Sequence, residues 1–321
     1  MTSRREFLSV ASLAATGIVL SPLVACSREA ATTGAATTAT ATPAPATGPM
    51  LTRSIPSTGE QLPVIGAGTS GSYEVALDSQ EYQTLKDVAR IFFEGGGSVI
   101  DTSPNYSNAE DVVGALLDEG GWRERCFLAT KLAADSRAEL EAQWADSLRR
   151  LRTDRIELLA VHNLRNLAEA MPFARELKEQ GLVKYIGLTH YLTSAHGELL
   201  QAMQDEQPDF IQVNYSVNSP AAASRLLPAA ADQGVAVMIN RAFDDGRLFA
   251  RVGGRALPGW AAEAGVTSWS QMFLKFAISH PAVTVVIPAT GKSDRQADQL
   301  NAGHGELLTS AQQEELVGMF S

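Results

Sequence analysis

Four side chains in the middle of the chain have types and spacing that can do chemistry together: Asp101, Tyr106, Lys131 and His162. A phenol ordinarily loses its proton near pH 10, so Tyr106 serves as a proton donor or acceptor at neutral pH only if its anion is stabilised. Lys131 is the candidate stabiliser. A cation about 4 Å from the phenolic oxygen is worth roughly 4 kcal/mol at an effective dielectric of 20, or three pKa units before desolvation is subtracted. A lysine drawn out of water needs a counter-ion, and Asp101 is the available one. His162 can then donate a hydrogen bond to a polarised carbonyl oxygen and support the charge that builds there. The expectation is therefore a phenol made unusually acidic by an adjacent ammonium. Each residue also has an ordinary reading, as a turn residue, a half-buried ring, a strand-end lysine or a core histidine.

These residues must be held at one rim, and the surrounding pattern provides for that. From Met50 onward β-rich runs alternate with helical ones, the form of repeated βα units. Eight strands are predicted at residues 64–68, 98–101, 126–131, 156–162, 184–188, 210–213, 235–239 and 284–287. Most are continuous Val/Ile/Leu stretches, as parallel strands covered on both faces require. Between them Tyr82, Leu85, Val88, Ala89 and Phe92 fall on one helical face, as do Leu140, Trp144, Ser147, Leu148 and Leu151. Gly95-Gly96-Gly97, Gly181 and Gly234 end helices. The architecture expected is a single-domain α/β (β/α)8 barrel over residues 50–321, with a hairpin in residues 50–63 closing its floor. In such a barrel catalytic groups belong at the C-terminal strand ends, where Asp101, Lys131 and His162 all stand. Gly66-Ala67-Gly68-Thr69-Ser70-Gly71 spells the dinucleotide glycine pattern. The helical periodicity starts only near Ser79, however, so a tight barrel-mouth turn accounts for these glycines better than a doubly wound sheet does.

The last strand runs through Val285-Val286-Ile287-Pro288-Ala289-Thr290-Gly291-Lys292-Ser293-Asp294-Arg295 into a helix start, where backbone N–H groups favour phosphate. Two cations there favour a nucleotide bearing an extra phosphate. Taken together, the segments GGSVIDTSPNYSNAEDVVGALL, FLATK and LLAVHNL resemble the active-site segments of the aldo-keto reductase family, and the likeness runs from about residue 52 to 320. The resemblance implies NADPH-dependent carbonyl reduction with Tyr106 as general acid/base, Lys131 and Asp101 tuning it, and His162 positioning the carbonyl. It further implies that Asp101 helps hold the nicotinamide ribose, with Gly68 and Thr69 beside the cofactor and Gln212 at the carboxamide. Thr290, Gly291 and Lys292 match the phosphate loop, Arg295 the 2′-phosphate site, and Asp298 and Gln299 the adenine end. The match is incomplete in two places. Thr189-His190 stands where a Ser-Asn pair is common, and Asn240-Arg241 replaces the aromatic that stacks on the nicotinamide; Arg241 is left to approach the pyrophosphate or to pair with Asp244 or Asp245.

The expected partner is a small carbonyl compound, in a pocket shaped by residues 71–73, Trp122, residues 163–166, Tyr215 and the 242–260 loop. Arg247, Arg251 and Arg255 in that loop offer attraction for an anionic substrate, or simply a solvated face. An alternative reading is an NADP(H)-binding sensor or accessory module with negligible turnover, and a barrel hydrolase is a further one. The net charge of −10 disfavours nucleic acid. Five scattered histidines give no metal-ligand spacing.

Residues 1–26 have a basic start, an apolar stretch and small residues before Cys26. Ser3-Arg4-Arg5-Glu6-Phe7-Leu8 resembles a twin-arginine leader, and Leu23-Val24-Ala25-Cys26 resembles a lipobox; an ordinary cleaved signal with an incidental cysteine is the alternative. Residues 27–49, rich in Ala, Thr and Pro, read as a linker. The expectation is a monomeric periplasmic or cell-envelope lipoprotein carried by the twin-arginine translocon and held at the membrane through lipid on Cys26. Cys126 is the one other cysteine, so the barrel has no disulfide to form, which suits export after folding.

Overall fold

The computed structural model describes residues 48–321; the signal, lipobox and most of the linker fall outside the described residues. Two short strands, β1 (Thr52–Ser54) and β2 (Gln61–Pro63), form an antiparallel hairpin. The eight strands of the ring follow: β3 (Ala67–Gly68), β4 (Val99–Asp101), β5 (Phe127–Leu132), β6 (Ile156–Val161), β7 (Val183–His190), β8 (Phe210–Asn214), β9 (Ala236–Asn240) and β10 (Val285–Val286). They lie in sequence order and every neighbouring pair is parallel. Bridges from Ile65 to Val286 and from Gly68 to Ala289 join first strand to last and close the (β/α)8 barrel.

The outer layer is α1 (Gln80–Glu94), α2 (Ala109–Gly120), α3 (Arg137–Leu151), α4 (Leu167–Glu179), α5 (His196–Glu206), α6 (Leu226–Asp232), α7 (Arg247–Val252), α8 (Trp269–Ser279), α9 (Ser293–Asn301) and α10 (Ser310–Phe320). Ser79 caps α1 by accepting the Tyr82 N–H, as the onset of periodicity at that residue predicts. The expected face of α1 is buried throughout, and in α3 only Leu148 stays partly exposed. Gly181 and Gly234 end their helices at φ +74° and +67°, a conformation costly for residues with a Cβ. No helix among the described residues is long and apolar enough to cross a membrane.

Two apolar layers result. Helices pack on the outside of the sheet, while Val99, Phe127, Ala129, Leu158, Phe210, Met238 and Val285 fill the inside. Ile55 and Leu62 of the hairpin join the inner cluster, so the hairpin is the floor, and the Tyr185 hydroxyl donates to Glu60 of its turn at 2.6 Å. Strand side chains alternate with a period of two, so the inward parity set by the filler residues continues upward along each strand. Asp101 follows Val99, Lys131 follows Phe127 and Ala129, Gln212 follows Phe210, and Asn240 follows Ala236 and Met238. The apolar interior thus ends in a polar layer at the mouth.

The glycines after β2 serve the seam. Gly66 N–H donates to Val286 O at 2.8 Å and Gly68 N–H to Pro288 O at 3.0 Å. A Cβ on Gly68 would stand 2.8 Å from Ile287 O, too near for β3 to pair with β10.

Candidate active site

At the mouth, the Lys131 ammonium donates to both oxygens of Asp101, at 2.8 and 2.7 Å, and to Thr102 O at 2.7 Å. Both side chains are almost fully buried, at 1% and 5% exposure, so three acceptors replace the lysine's lost water. Gln212 donates its amide to Asp101 Oδ1 at 2.9 Å and accepts from Asn240 Nδ2 at 3.3 Å. Burial works against the Lys131 charge, but the Asp101 and Tyr106 oxygens outweigh it and its pKa lies above the ordinary value.

Tyr106 sits in the loop between β4 and α2. Tyr106 N–H donates to Ser103 O at 3.0 Å, and its ring lies edge-on to His162 with centroids 5.9 Å apart. Buried Glu110 anchors the base of that loop: it accepts from Thr130 at 2.7 Å and Ser147 at 3.1 Å and pairs with Arg150, which also reaches Ser107 O. The Lys131 ammonium lies 5.3 Å from the centre of the phenol ring. It is the largest single influence on that phenol and pulls its pKa down, yet burial and the Asp101 charge together push harder, so the phenol sits above its ordinary value. The expectation of an unusually acidic tyrosine is corrected by this: the same carboxylate that neutralises Lys131 also acts on the phenol, and burial adds to it. The phenol therefore keeps its proton at neutral pH.

Burial first, then the charge of Lys131, lowers the His162 pKa to about 3. The ring is neutral, and its Nδ1 lies 3.2 Å from Ser103 Oγ. Ser103 is no part of the sequence expectation, because a loop serine two residues after an Asp has no signature of its own.

The mouth opens into a cavity of about 1050 Å³. Asp101, Tyr106 and His162 line one part, with Gly68, Thr69, Thr189, Gln212, Asn240, Arg241, Thr290, Arg295, Asp298 and Gln299 of the expected cofactor residues around the remainder. His190, Gly291 and Lys292 are not in the lining. His190 stacks on Tyr191 and its Nδ1 accepts the Leu192 N–H at 3.1 Å; Lys292 is exposed at the start of α9. Some lining residues are already engaged: Asp298 accepts from Ser268 and Gln271, each at 2.7 Å, and Arg241 pairs with Asp245 rather than reaching across the cavity. Two buried oxygens, Asn240 Oδ1 and Gln299 Oε1, have no partner. A cavity larger than most small-ligand pockets, with unclaimed buried acceptors at separate points of its wall, fits an extended polar ligand such as a dinucleotide.

Other expectations about the pocket need correcting. Trp122 stacks on Phe93 at 4.9 Å, Tyr215 stacks on Phe276 at 5.1 Å, and Tyr73 is buried in the outer core. Tyr73 and Tyr215 follow strand ends at the correct rim but are taken into the apolar core, whereas Trp122 follows α2 and precedes β5, at the opposite end of the barrel. Of the expected segments, Gly71, Ser72, Asn163, Phe243 and Phe249 do line the wall, and Ser70 and Tyr191 join them. The arginine run is committed elsewhere: Arg247 pairs with Asp244, Arg255 donates to Met319 O at 2.7 Å and Arg251 reaches Ser321 O at 3.5 Å. No cluster of His, Cys, Asp and Glu able to hold a metal occurs among the described residues.

The model of the aldo/keto reductase family matches residues 64–318, from the first strand of the ring into α10. The chain belongs to the aldo/keto reductase family. Among solved aldo/keto reductases, one from Klebsiella pneumoniae in complex with NADPH superposes with a TM-score of 0.72 at 25% identity, covering 84% of this chain and 96% of that one. Another from the same organism, in complex with NADP and acetate, gives 0.69 at 26% identity over 82% and 93%. In sequence, the aldo-keto reductase YhdN of Bacillus subtilis is 31% identical over 153 residues, which is 43% of this chain. The chain spans about half the length of the relatives it matches first, 46% in that case.

Proposed function

We propose that this aldo/keto reductase reduces an aldehyde or ketone to an alcohol with NADPH, reversibly, with Tyr106 as proton donor. The observation that carries the reading is that a neutral phenol, a neutral imidazole and Asp101 meet in one cavity with Thr290, Arg295 and Gln299, with Lys131 paired to Asp101 in the wall behind. The solved relatives that hold NADP and NADPH support the same choice of cofactor. When bound, NADPH supplies the hydride.

The chain's own part is binding, orientation and the proton. Arg295 carries the charge suited to a 2′-phosphate, and Gln212 and Asn240 offer amides for a carboxamide. His162 orients the carbonyl oxygen. Tyr106 gives its proton to that oxygen as negative charge appears on it. The resulting phenolate is the form that Lys131 attracts, so the ammonium acts most strongly after proton transfer has begun, which is where stabilisation raises the rate. Water then reprotonates the tyrosine.

The test is loss of reduced-nicotinamide absorbance with a panel of aldehydes and ketones. Tyr106→Phe should lose on the order of 10³-fold in kcat while still binding NADPH. Activity comparable to the parent would remove Tyr106 as the acid. A second reading, a nucleotide-binding sensor with negligible turnover, draws on Asn240 standing where a stacking aromatic is expected. Rapid single-turnover oxidation of bound NADPH favours the enzyme; none with any carbonyl favours the sensor.

We also propose export: the leader, lipobox and thiol-poor barrel support a lipoprotein of the cell envelope that is loaded with nucleotide before translocation. Protein recovered from the envelope should carry NADP(H). Recovery in the cytosol, or nucleotide-free protein that binds it weakly, would contradict this.

A further inference from the structure

The loop that carries Tyr106 also places a hydroxyl against the one histidine at the mouth. Ser103 is fully buried, and its Oγ lies 3.2 Å from His162 Nδ1. The same oxygen accepts the backbone N–H of Asn105 at 3.3 Å. A serine hydroxyl owns a single proton, and a neutral imidazole has one N–H and one bare nitrogen. With Asn105 donating to the serine oxygen, the serine proton has one acceptor among the described contacts, the ring nitrogen Nδ1. The opposite arrangement, Nδ1–H donating to Ser103, leaves that proton buried with nothing to receive it, and an unmet buried donor costs more than the bond it replaces returns.

We propose that Ser103 is a positioning residue that fixes His162 as the Nε2–H tautomer, so that the nitrogen left for the cavity is always a donor. The structural half of this stands by itself. Its catalytic consequence rests on the carbonyl-reductase reading, in which an imidazole of the other tautomer would set a lone pair against the oxygen lone pairs of the substrate.

The surroundings make the tautomer the variable that matters. Burial and the Lys131 charge keep the ring neutral, so His162 cannot become a donor at both nitrogens by taking up a proton. His162 lines the cavity, and its Nε2 has no hydrogen-bond partner among the described residues. The backbone fixes the hydroxyl: Ser103 O accepts the Tyr106 N–H at 3.0 Å, so one short segment places the proton donor and sets the ring facing it. On the far side, Asn163 N–H donates to Thr189 Oγ1 at 3.0 Å and holds the residue after His162 at φ +54°. The backbone that carries the imidazole is thus fixed on one side and the ring nitrogen on the other.

The experiment is nitrogen-15 NMR of the full chain labelled at histidine, above neutral pH, with and without NADP. The parent should show a protonated Nε2 and a bare, hydrogen-bonded Nδ1 for His162. Ser103→Ala should give mixed tautomers, a fall of about five- to tenfold in kcat, as expected for one neutral hydrogen bond, and unchanged NADP affinity. A protonated Nδ1 in the parent overturns the proposal whatever the variant does. So does a Ser103→Ala protein that keeps the parent tautomer, with or without its activity. If no carbonyl is reduced by the parent, the reductase reading fails while the tautomer result still decides this one.

Discussion

Replacing Lys131 with methionine tests the site on two independent scales. The side chain is of similar length and fills the same space, but Asp101 is left buried with only Gln212 to donate to it. Breaking a buried pair in this way costs about 3–5 kcal/mol of stability. The second effect is on the phenol. With the ammonium 5.3 Å from the ring centre, Coulomb's law at an effective dielectric of 20 gives about 3 kcal/mol, or roughly two pKa units. Removing it raises a phenol that already sits high, and alcohol oxidation needs the deprotonated form to receive the substrate proton. The assay is alcohol oxidation by NADP across pH. The limb that rises with pH should move upward by as much as two units in Lys131→Met, and adding Asp101→Asn should bring it part of the way back and recover stability. A limb at the same pH in all three proteins would refute the claim that this ammonium acts on Tyr106.

Two further outcomes follow from burial and packing. His162 has its folded pKa depressed to about 3 from 6.5, so its contribution is fully present above the unfolded value and is lost as pH falls from 6.5 toward 3. Urea unfolding of the parent should lose about 3 kcal/mol from this group by roughly pH 4.5, with His162→Gln showing a flatter profile; equal slopes would show that the ring is not held neutral. Gly114→Ala puts a Cβ 2.2 Å from Arg150 O, where α2 crosses α3, so it should destabilise by about 1–3 kcal/mol although alanine favours helix. An unchanged urea midpoint would mean the two helices can separate at little cost.

The ring of strands was legible because each strand is buried on both faces and therefore written as an apolar run, and because glycine marks the helix ends. The placement of Asp101, Lys131 and His162 was legible for a related reason: strand parity and strand-end position together decide which side chains face the mouth. What the sequence could not convey is where a loop side chain turns. Tyr215 begins at the rim and turns onto Phe276, while Phe249 of α7 faces the cavity. His190 is one residue out of phase with the inward positions of β7 and turns to Tyr191. The direction of the Tyr106 shift was missed because it is a balance between one cation and two opposing influences, and burial is a property of the folded chain.

The seam described for β3 and β10 has a bearing on when the protein becomes competent. Asp101, Tyr106, Lys131 and His162 are all made well before the partners that complete the ring, Val286 to Ala289. A growing chain therefore holds every reactive group long before it has a wall to set them behind. Competence switches on when the circle shuts, rather than accruing strand by strand.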